Sequence, residues 1–193
     1  MAVPRSRYVV FTLIAVGGAL VDLATKSWVF GWLGMPSMTN WWIIDEFFGV
    51  TTSLNEGALF GVGQGQVALF TLLSLGAGVG IVYFLFRRGA AVDWLHTIAL
   101  AAVTAGIIGN LYDRVGLPNL TWNYPGPHHQ IGEPVFAVRD WIHFKFGSLG
   151  SWPIFNIADS LLVCGVGLLL WHSWRGSPQE QTPSDGPPAA PPK

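Results

Sequence analysis

Two aspartates, Asp140 and Asp159, are the side chains best suited to chemistry, and polar residues at helical spacing accompany Asp159. Asn156, Asp159 and Ser160 stand at i, i+3 and i+4, as do Asn110, Asp113 and Arg114, so each triplet lies on one helix face. Two carboxyl groups in one site of low dielectric cannot both ionise readily and tend to share a proton. One then acts as a base, taking a proton from a water that attacks a carbonyl. The other hydrogen-bonds the carbonyl oxygen and later protonates the leaving amine. Such a pair hydrolyses peptides with neither a metal nor a covalent intermediate. The same carboxylates would also suit a proton or cation path through a transporter, although four short helices with surface-lying loops and no internal repeat make that reading less attractive.

Other residues carry weaker signals. Asp22 and Lys26, four apart, read as an intrahelical ion pair that makes membrane insertion tolerable. Asn110, Asp113 and Arg114 also fit an interfacial helix end whose Asp and Arg pair locally and snorkel to water. His128 and His129, adjacent in a Pro-rich stretch, read as a solvated loop, and His143, flanked by Trp141 and Phe144, as interfacial. His96 falls near the inner end of the third apolar span. Cys164, among Val and Gly, reads as packing, and a single cysteine makes neither an internal disulfide nor a cysteine zinc site. No serine stands in a nucleophile-elbow sequence, and no ligand cluster of metal type converges on the aspartates.

The elements that must position these residues are membrane spans. Of the 193 residues, 51% are hydrophobic and only 11% charged, against roughly 25% charged in a soluble domain. A net charge of −1 supplies no basic face for nucleic acid. An uncharged apolar run of about twenty residues crosses the hydrocarbon core as a helix, and residues 66–86 form one. Residues 8–33, 93–112 and 153–174 qualify with interruptions, which predicts an all-α membrane protein of four transmembrane helices with small extracytoplasmic β and loop elements. Gly and other small residues stud each span and allow close helix approach. The aromatic segment containing Trp41, Trp42, Phe47 and Phe48 suits the headgroup level, and residues 48–60 read as short strands around a turn.

Basic residues are retained on the cytoplasmic side. Arg5, Arg7, Arg87, Arg88 and Arg175 therefore put both termini in the cytoplasm and residues 34–65 and 113–152 outside. The N-terminal basic-then-apolar pattern is too long for a signal peptide and is read as an uncleaved first span. Residues 1–175 form the four-helix domain. Residues 176–193, rich in Pro, Ser, Gln and Ala, read as a disordered cytoplasmic tail. With this topology, Asp22, Lys26, Asn110, Asp113, Arg114, Asp140 and Asp159 converge toward the outer leaflet. Asp159 would lie six residues past Pro153, about 9 Å along the axis, and Asp140 on the segment connecting to the fourth helix. Intramembrane charge costs roughly 2.5–3.5 kcal/mol per residue on insertion scales, so each charge needs a partner or a task, and the convergence describes a polar pocket opening toward the outer leaflet.

Five blocks in order resemble signal peptidase II, the bacterial lipoprotein signal peptidase. They are Asp22-Leu-Ala-Thr-Lys26, Asn55-Glu-Gly-Ala-Leu-Phe-Gly61, Gly109-Asn-Leu-Tyr-Asp-Arg114, Val138-Arg-Asp140 and Phe155-Asn-Ile-Ala-Asp-Ser160. The resemblance implies a four-helix inner-membrane aspartyl endopeptidase that cleaves prolipoproteins immediately before a diacylglyceryl-modified cysteine. Its catalytic aspartates fall on Asp140 and Asp159, the pair also reached from the residues alone. It further implies that Asn110, Asp113 and Arg114 shape the pocket and orient substrate, that Asn156 sits beside the dyad and that Asn55 lies on a covering loop. Asp22 and Lys26 would hold the first helix against the site. The implied partners are prolipoproteins, membrane lipids and the peptide antibiotic globomycin; no cofactor, metal or nucleic acid is expected, and the chain is read as a monomer.

Three features depart from the family pattern. Residues 115–139, rich in Pro, Gly and His, lengthen a connection that is usually short. Leu59 stands where Ala is common, and Arg139 replaces an aliphatic residue before Asp140. A cation pointing inward there would favour a charged Asp140, so Arg139 is expected to point to water.

Overall fold

The computed structural model describes residues 2–37, 39–58 and 62–175. Four helices are long and apolar enough to cross a membrane: α1 (Arg5–Leu33), α2 (Val67–Val82, continued by a π turn over Tyr83–Arg87), α3 (Trp94–Arg114) and α4 (Ile157–Arg175). A three-stranded antiparallel sheet, β1 (Trp41–Ile44), β2 (Phe48–Asn55) and β3 (Val138–Phe144), completes the fold in the order β1-β2-β3. The proposed tail, residues 176–193, and Leu59 lie outside the described residues.

Helix α3 is the centre of the bundle and has the most buried face of the four. Small residues make that possible, since Ala99, Ala101, Ala102, Ala105 and Gly106 let neighbouring backbones come close. On α1, buried positions Phe11, Ala15, Ala19, Asp22, Lys26 and Val29 recur every three or four residues. The apolar stripe that packs α1 therefore also carries its two charges inward. Arg7 bonds the Ala91 carbonyl beside the start of α3, and Lys26 reaches Asn110 near its end, so α1 and α3 run parallel. Helix α4 runs antiparallel to α3, with Ala158 beside Gly106 and Gly165 beside Ala99 and Val103.

The sheet lies across the bundle end that carries the aspartates. Its turn differs from expectation: Phe48–Asn55 is one continuous strand, and the reversal falls earlier, at Asp45–Phe47. There Glu46 adopts φ 49° and the Phe47 amide bonds the Ile44 carbonyl at 3.0 Å. The β-branched run Val50-Thr51-Thr52 favours extension through the stretch that composition suggested would turn. Two expectations about the site's supports also change. Asp140 stands on strand β3 rather than on a connecting segment, opposite Ser53 of β2. Helix α4 begins at Ile157 rather than Pro153, because Phe155 is held in the sheet: its carbonyl accepts from Trp141 and Ile142 at 3.0 and 2.8 Å. Asp159 thus sits in the first turn of α4, nearer the start of the helix than its distance from Pro153 implied.

The long connection 115–139 has structure of its own. Trp122 and Val135 pair with Glu133 and Leu120 through backbone hydrogen bonds of 2.9 Å each, and Trp122, Val135 and Ala137 bury against Leu54, Leu120 and Tyr124. His129 is buried, with its ring stacked on Trp122 at 3.4 Å between centroids, rather than solvated. His143 is also buried, its ring 5.1 Å from Trp42. Cys164, expected as packing, faces outward on α4.

The α3–α4 contact yields a test. A Cβ at Gly165 would lie 2.6 Å from the Ala99 carbonyl oxygen and 2.7 Å from a Val103 methyl, whereas one at Gly167 would meet nothing within 4 Å. Gly165→Val is expected to lose roughly 1–3 kcal/mol by overpacking, and Gly167→Val to leave stability nearly unchanged, as read by thermal unfolding in detergent.

Candidate active site

The site is assembled around a buried cation. Lys26 has no solvent-accessible surface, and its ammonium lies 2.8 Å from Asp22 Oδ2, 3.1 Å from Asp113 Oδ2 and 3.0 Å from Asn110 Oδ1. An ammonium only donates, so the oxygen of Asn110 must face it and the amide nitrogen must face away. That nitrogen donates to Asp159 Oδ1 at 2.8 Å. The lysine on α1 therefore sets the orientation of the hydrogen bond received by an aspartate on α4.

Asn156 performs a second such relay. As the N-cap of α4 it accepts the Asp159 backbone N–H on Oδ1 at 2.8 Å. Its Nδ2 is thereby turned outward to donate to Asp140 Oδ1 at 2.6 Å and to Asn110 Oδ1 at 3.2 Å. One asparagine bridges the two aspartates, and Asn55 on β2 gives its Nδ2 to the Ala58 carbonyl at 3.1 Å. Asp22 Oδ1 accepts the Ala158 N–H at 2.8 Å, so α1 satisfies another free donor in the first turn of α4. Gly109 leaves room for that carboxylate, since a Cβ there would run into Asp22. Ser160 stands apart, returning its hydroxyl to the Asn156 carbonyl at 3.1 Å.

Strand alternation separates two neighbours in β3. Asp140 faces Asn156, while Arg139 turns to the opposite side. Arg139 does not point to water: it is buried, and its Nη2 and Nε lie 2.8 and 2.9 Å from Asp113 Oδ1, with its backbone N–H 3.0 Å from Asp113 Oδ2. Asp113 is claimed by Lys26 and Arg139, which overturns the local Asp113–Arg114 pairing. Arg114 instead donates to the Gly57 carbonyl at 2.8 Å and closes the wall between two cavities.

The smaller cavity, about 310 Å³, is lined by Asp159, Asn110, Asn55 and Arg114 together with apolar Phe70, Leu73, Val103, Ile107 and Leu162. The larger, about 760 Å³, is bounded by Arg114, the start of α2 and the 115–139 segment through Trp122, His129 and Phe136. Asp140 is buried and lines neither cavity. Its carboxyl is pushed well above the ordinary carboxylate range, first by burial and then by the charge of Asp159. Among the described residues, the buried cluster sets Asp22, Asp113, Asp140 and Asp159 against Lys26, Arg114 and Arg139. A single proton on the Asp140–Asp159 pair would make it neutral. The structure thus brings Asp22, Lys26, Asn55, Asn110, Asp113, Arg114, Asn156, Asp140 and Asp159 into one region. Arg139 and the Gly57 carbonyl also belong to it and were not foreseen; a cation beside a strand aspartate was the available sign of the first.

Comparison with known proteins bears on this arrangement. The family model described as Signal peptidase (SPase) II matches residues 14–175. The chain belongs to the signal peptidase II family. It is 41% identical over 186 residues to a lipoprotein signal peptidase of Rhodopirellula baltica, covering 96% of this chain and 80% of that protein. A lipoprotein signal peptidase of Bacillus pumilus is 38% identical over 162 residues, covering 82% and 88%. A solved structure described as a bacterial membrane enzyme superposes with TM-score 0.67 at 27% identity, over 86% of this chain and 87% of that one.

Within this signal peptidase II fold the weight carried by Lys26 is measurable. Lys26→Met leaves the buried Asp22 without a cation and Asp113 with Arg139 alone, and is expected to cost roughly 3–5 kcal/mol. Lys145→Met removes only the exposed pair with Glu46 at 3.1 Å and should cost roughly 0–1 kcal/mol. Thermal unfolding of both variants in the same detergent separates the two cases.

Proposed function

We propose that this signal peptidase II family member removes the signal peptide from prolipoproteins at a diacylglyceryl-modified cysteine, with Asp140 and Asp159 activating the attacking water. The observation that carries the reading is the bridged pair: two aspartates from different elements, each with Oδ1 held by an asparagine amide, beside a cavity of mixed polar and apolar lining. Asp159 borders the cavity and takes the part of base. Asp140, more deeply buried and raised in proton affinity, holds the shared proton.

The steps balance with these groups alone. Asp159 removes a proton from water as the oxygen attacks the carbonyl carbon preceding the cysteine, while Asp140 donates a hydrogen bond to the carbonyl oxygen. The tetrahedral species collapses as the C–N bond breaks. A proton passes to the leaving nitrogen, releasing the signal peptide as a carboxylic acid and the cysteine with a free amine. Asn110, Asn156 and Asn55 orient the pair, Asp113 and Arg114 shape the pocket, and Asp22 and Lys26 hold α1 against it. No cofactor or site metal is needed for this sequence. Globomycin, a peptide lodged in the same cavity, would block it.

The location supports an active site at the extracytoplasmic face of the bacterial inner membrane, with both termini cytoplasmic. The parallel and antiparallel helix directions put Arg5, Arg7, Arg87, Arg88 and Arg175 at the bundle end opposite the aspartates, as cytoplasmic retention of basic residues demands. Trp32, Trp41 and Phe47 are exposed at the sheet end of the bundle, which suits aromatic side chains at the headgroup level. Residues 1–175 act as one peptidase domain, monomeric among membrane lipids, with 176–193 as a cytoplasmic extension. A transport path is not supported, because below the aspartates the bundle closes on an apolar cluster of Phe11, Ala15, Leu85, Leu100 and Ala101.

In detergent, without any gradient, the chain is expected to cleave a diacylglyceryl-modified lipobox substrate. Asp140→Asn and Asp159→Asn should each lower the rate by at least about 10²–10⁴-fold while insertion and melting temperature persist; retained cleavage would remove these residues from the mechanism. The pair works with one proton, so kcat/KM should fall at low pH as a second proton arrives. It should fall again on the alkaline side, well above the ordinary carboxylate range, as the proton on Asp140 is lost. Excess chelator should leave the cleavage rate unchanged.

A further inference from the structure

At the other end of the bundle, Asp93, His96 and His172 converge from the start of α3 and the last turn of α4. Asp93 divides its carboxylate between two tasks. Oδ1 accepts the Leu95 N–H at 2.7 Å and caps α3, which leaves Oδ2 facing the imidazoles, 3.1 Å from His172 Nε2 and 3.4 Å from His96 Nδ1. Arg175, three residues after His172 in the same last turn, stacks on Trp171 at 4.0 Å rather than reaching into the cluster.

We propose that Asp93, His96 and His172 bind a divalent transition-metal ion of the zinc class, cross-linking α3 to α4 far from the aspartate pair. Two imidazoles and a carboxylate are a zinc donor set, with a water completing four-coordination. Bonds of about 2.0–2.1 Å in a tetrahedron place ligand atoms roughly 3.3–3.4 Å apart, close to the two separations to Asp93. All three donor atoms lie within 4.8 Å of one another, so small side-chain rotations bring them onto one ion.

A second observation points the same way. His96 Nδ1 is shielded from solvent yet makes no hydrogen bond. A buried ring nitrogen left so is costly, and a metal would take its lone pair. A hydrogen-bonded cluster without metal would need both imidazoles to aim N–H groups at one oxygen, which the His96 geometry does not do. His96 and Asn110 are fourteen residues apart on α3, about 21 Å along the axis. The ion would therefore act as a clamp on the helices that carry Asn110 and Asp159, outside the chemistry.

The test uses the full chain in detergent, carrying no polyhistidine tag, titrated first with Co²⁺ and then with Zn²⁺. One equivalent of Co²⁺ should produce the visible bands of a four-coordinate ion, and Zn²⁺ should erase them stoichiometrically and raise the melting temperature. His96→Gln and His172→Gln should each weaken binding by at least about tenfold. Asp93→Asn, which keeps an oxygen for the cap, should do the same while the metal-free melting temperature stays near that of the parent. Asp140→Asn and Asp159→Asn should leave binding intact. Absence of saturable binding, or binding unchanged by the histidine and Asp93 substitutions, overturns the proposal. So does binding lost in the Asp140 or Asp159 variants instead. None of these readouts depends on peptide cleavage, so their failure leaves the proposed peptidase activity standing, and loss of that activity leaves them interpretable.

Discussion

Removing an ammonium group from water into an apolar helix bundle costs several kcal/mol unless close partners replace its hydration. Lys26 is removed entirely, and its three partners come from two helices: Asp22 from its own, Asp113 and Asn110 from α3. Each partner has a second engagement. Asp22 caps α4, Asp113 holds Arg139 of β3, and Asn110 is turned to face Asp159. Satisfying one cation therefore fixes the mutual placement of α1, α3, α4 and β3. A shift of any of them by about an ångström would leave a buried charge or donor unpaired.

Charge balance links this framework to the proposed chemistry. With four aspartates and three cations in the buried cluster, the neutral state is the one that carries a proton. Asp22 and Asp113 are held in ion pairs, and the proposed mechanism gives that proton to the Asp140–Asp159 pair. The protonation state that acid–base catalysis needs is thus also the state that the low-dielectric surroundings favour. The same surroundings account for the asparagines. A neutral amide can donate to a carboxylate without adding charge, and its orientation is locked by whichever oxygen-facing bond it must also make.

Much of the architecture was legible because lipid imposes simple rules. Length and apolarity mark four spans, and Asp22 and Lys26 stand on the same three-four repeat as Phe11, Ala15 and Ala19, which directs them inward. Features that depend on pairing between distant segments were less legible. The hairpin turn moved to Asp45–Phe47 because β2 finds partners on both sides, and Pro153 failed to start α4 because Phe155 is bonded to Ile142 in the sheet. Arg139 read as a solvent-facing residue, since nothing local revealed that Asp113 would be left needing a second cation. His128 and His129 read as solvated loop by composition, yet His129 is buried with its ring stacked on Trp122.

By itself the amino-acid sequence determined the four spans, the inward stripe of α1, and the two aspartates with the asparagines beside them, because residue type and periodicity in a membrane leave few alternatives. Only the tertiary structure decided which carboxylate each asparagine's amide nitrogen faces, where Arg139 goes, and that Asp93 and His96 meet His172. These are outcomes of packing between segments far apart in the chain, where direction and distance depend on every contact at once and on no single run of residues.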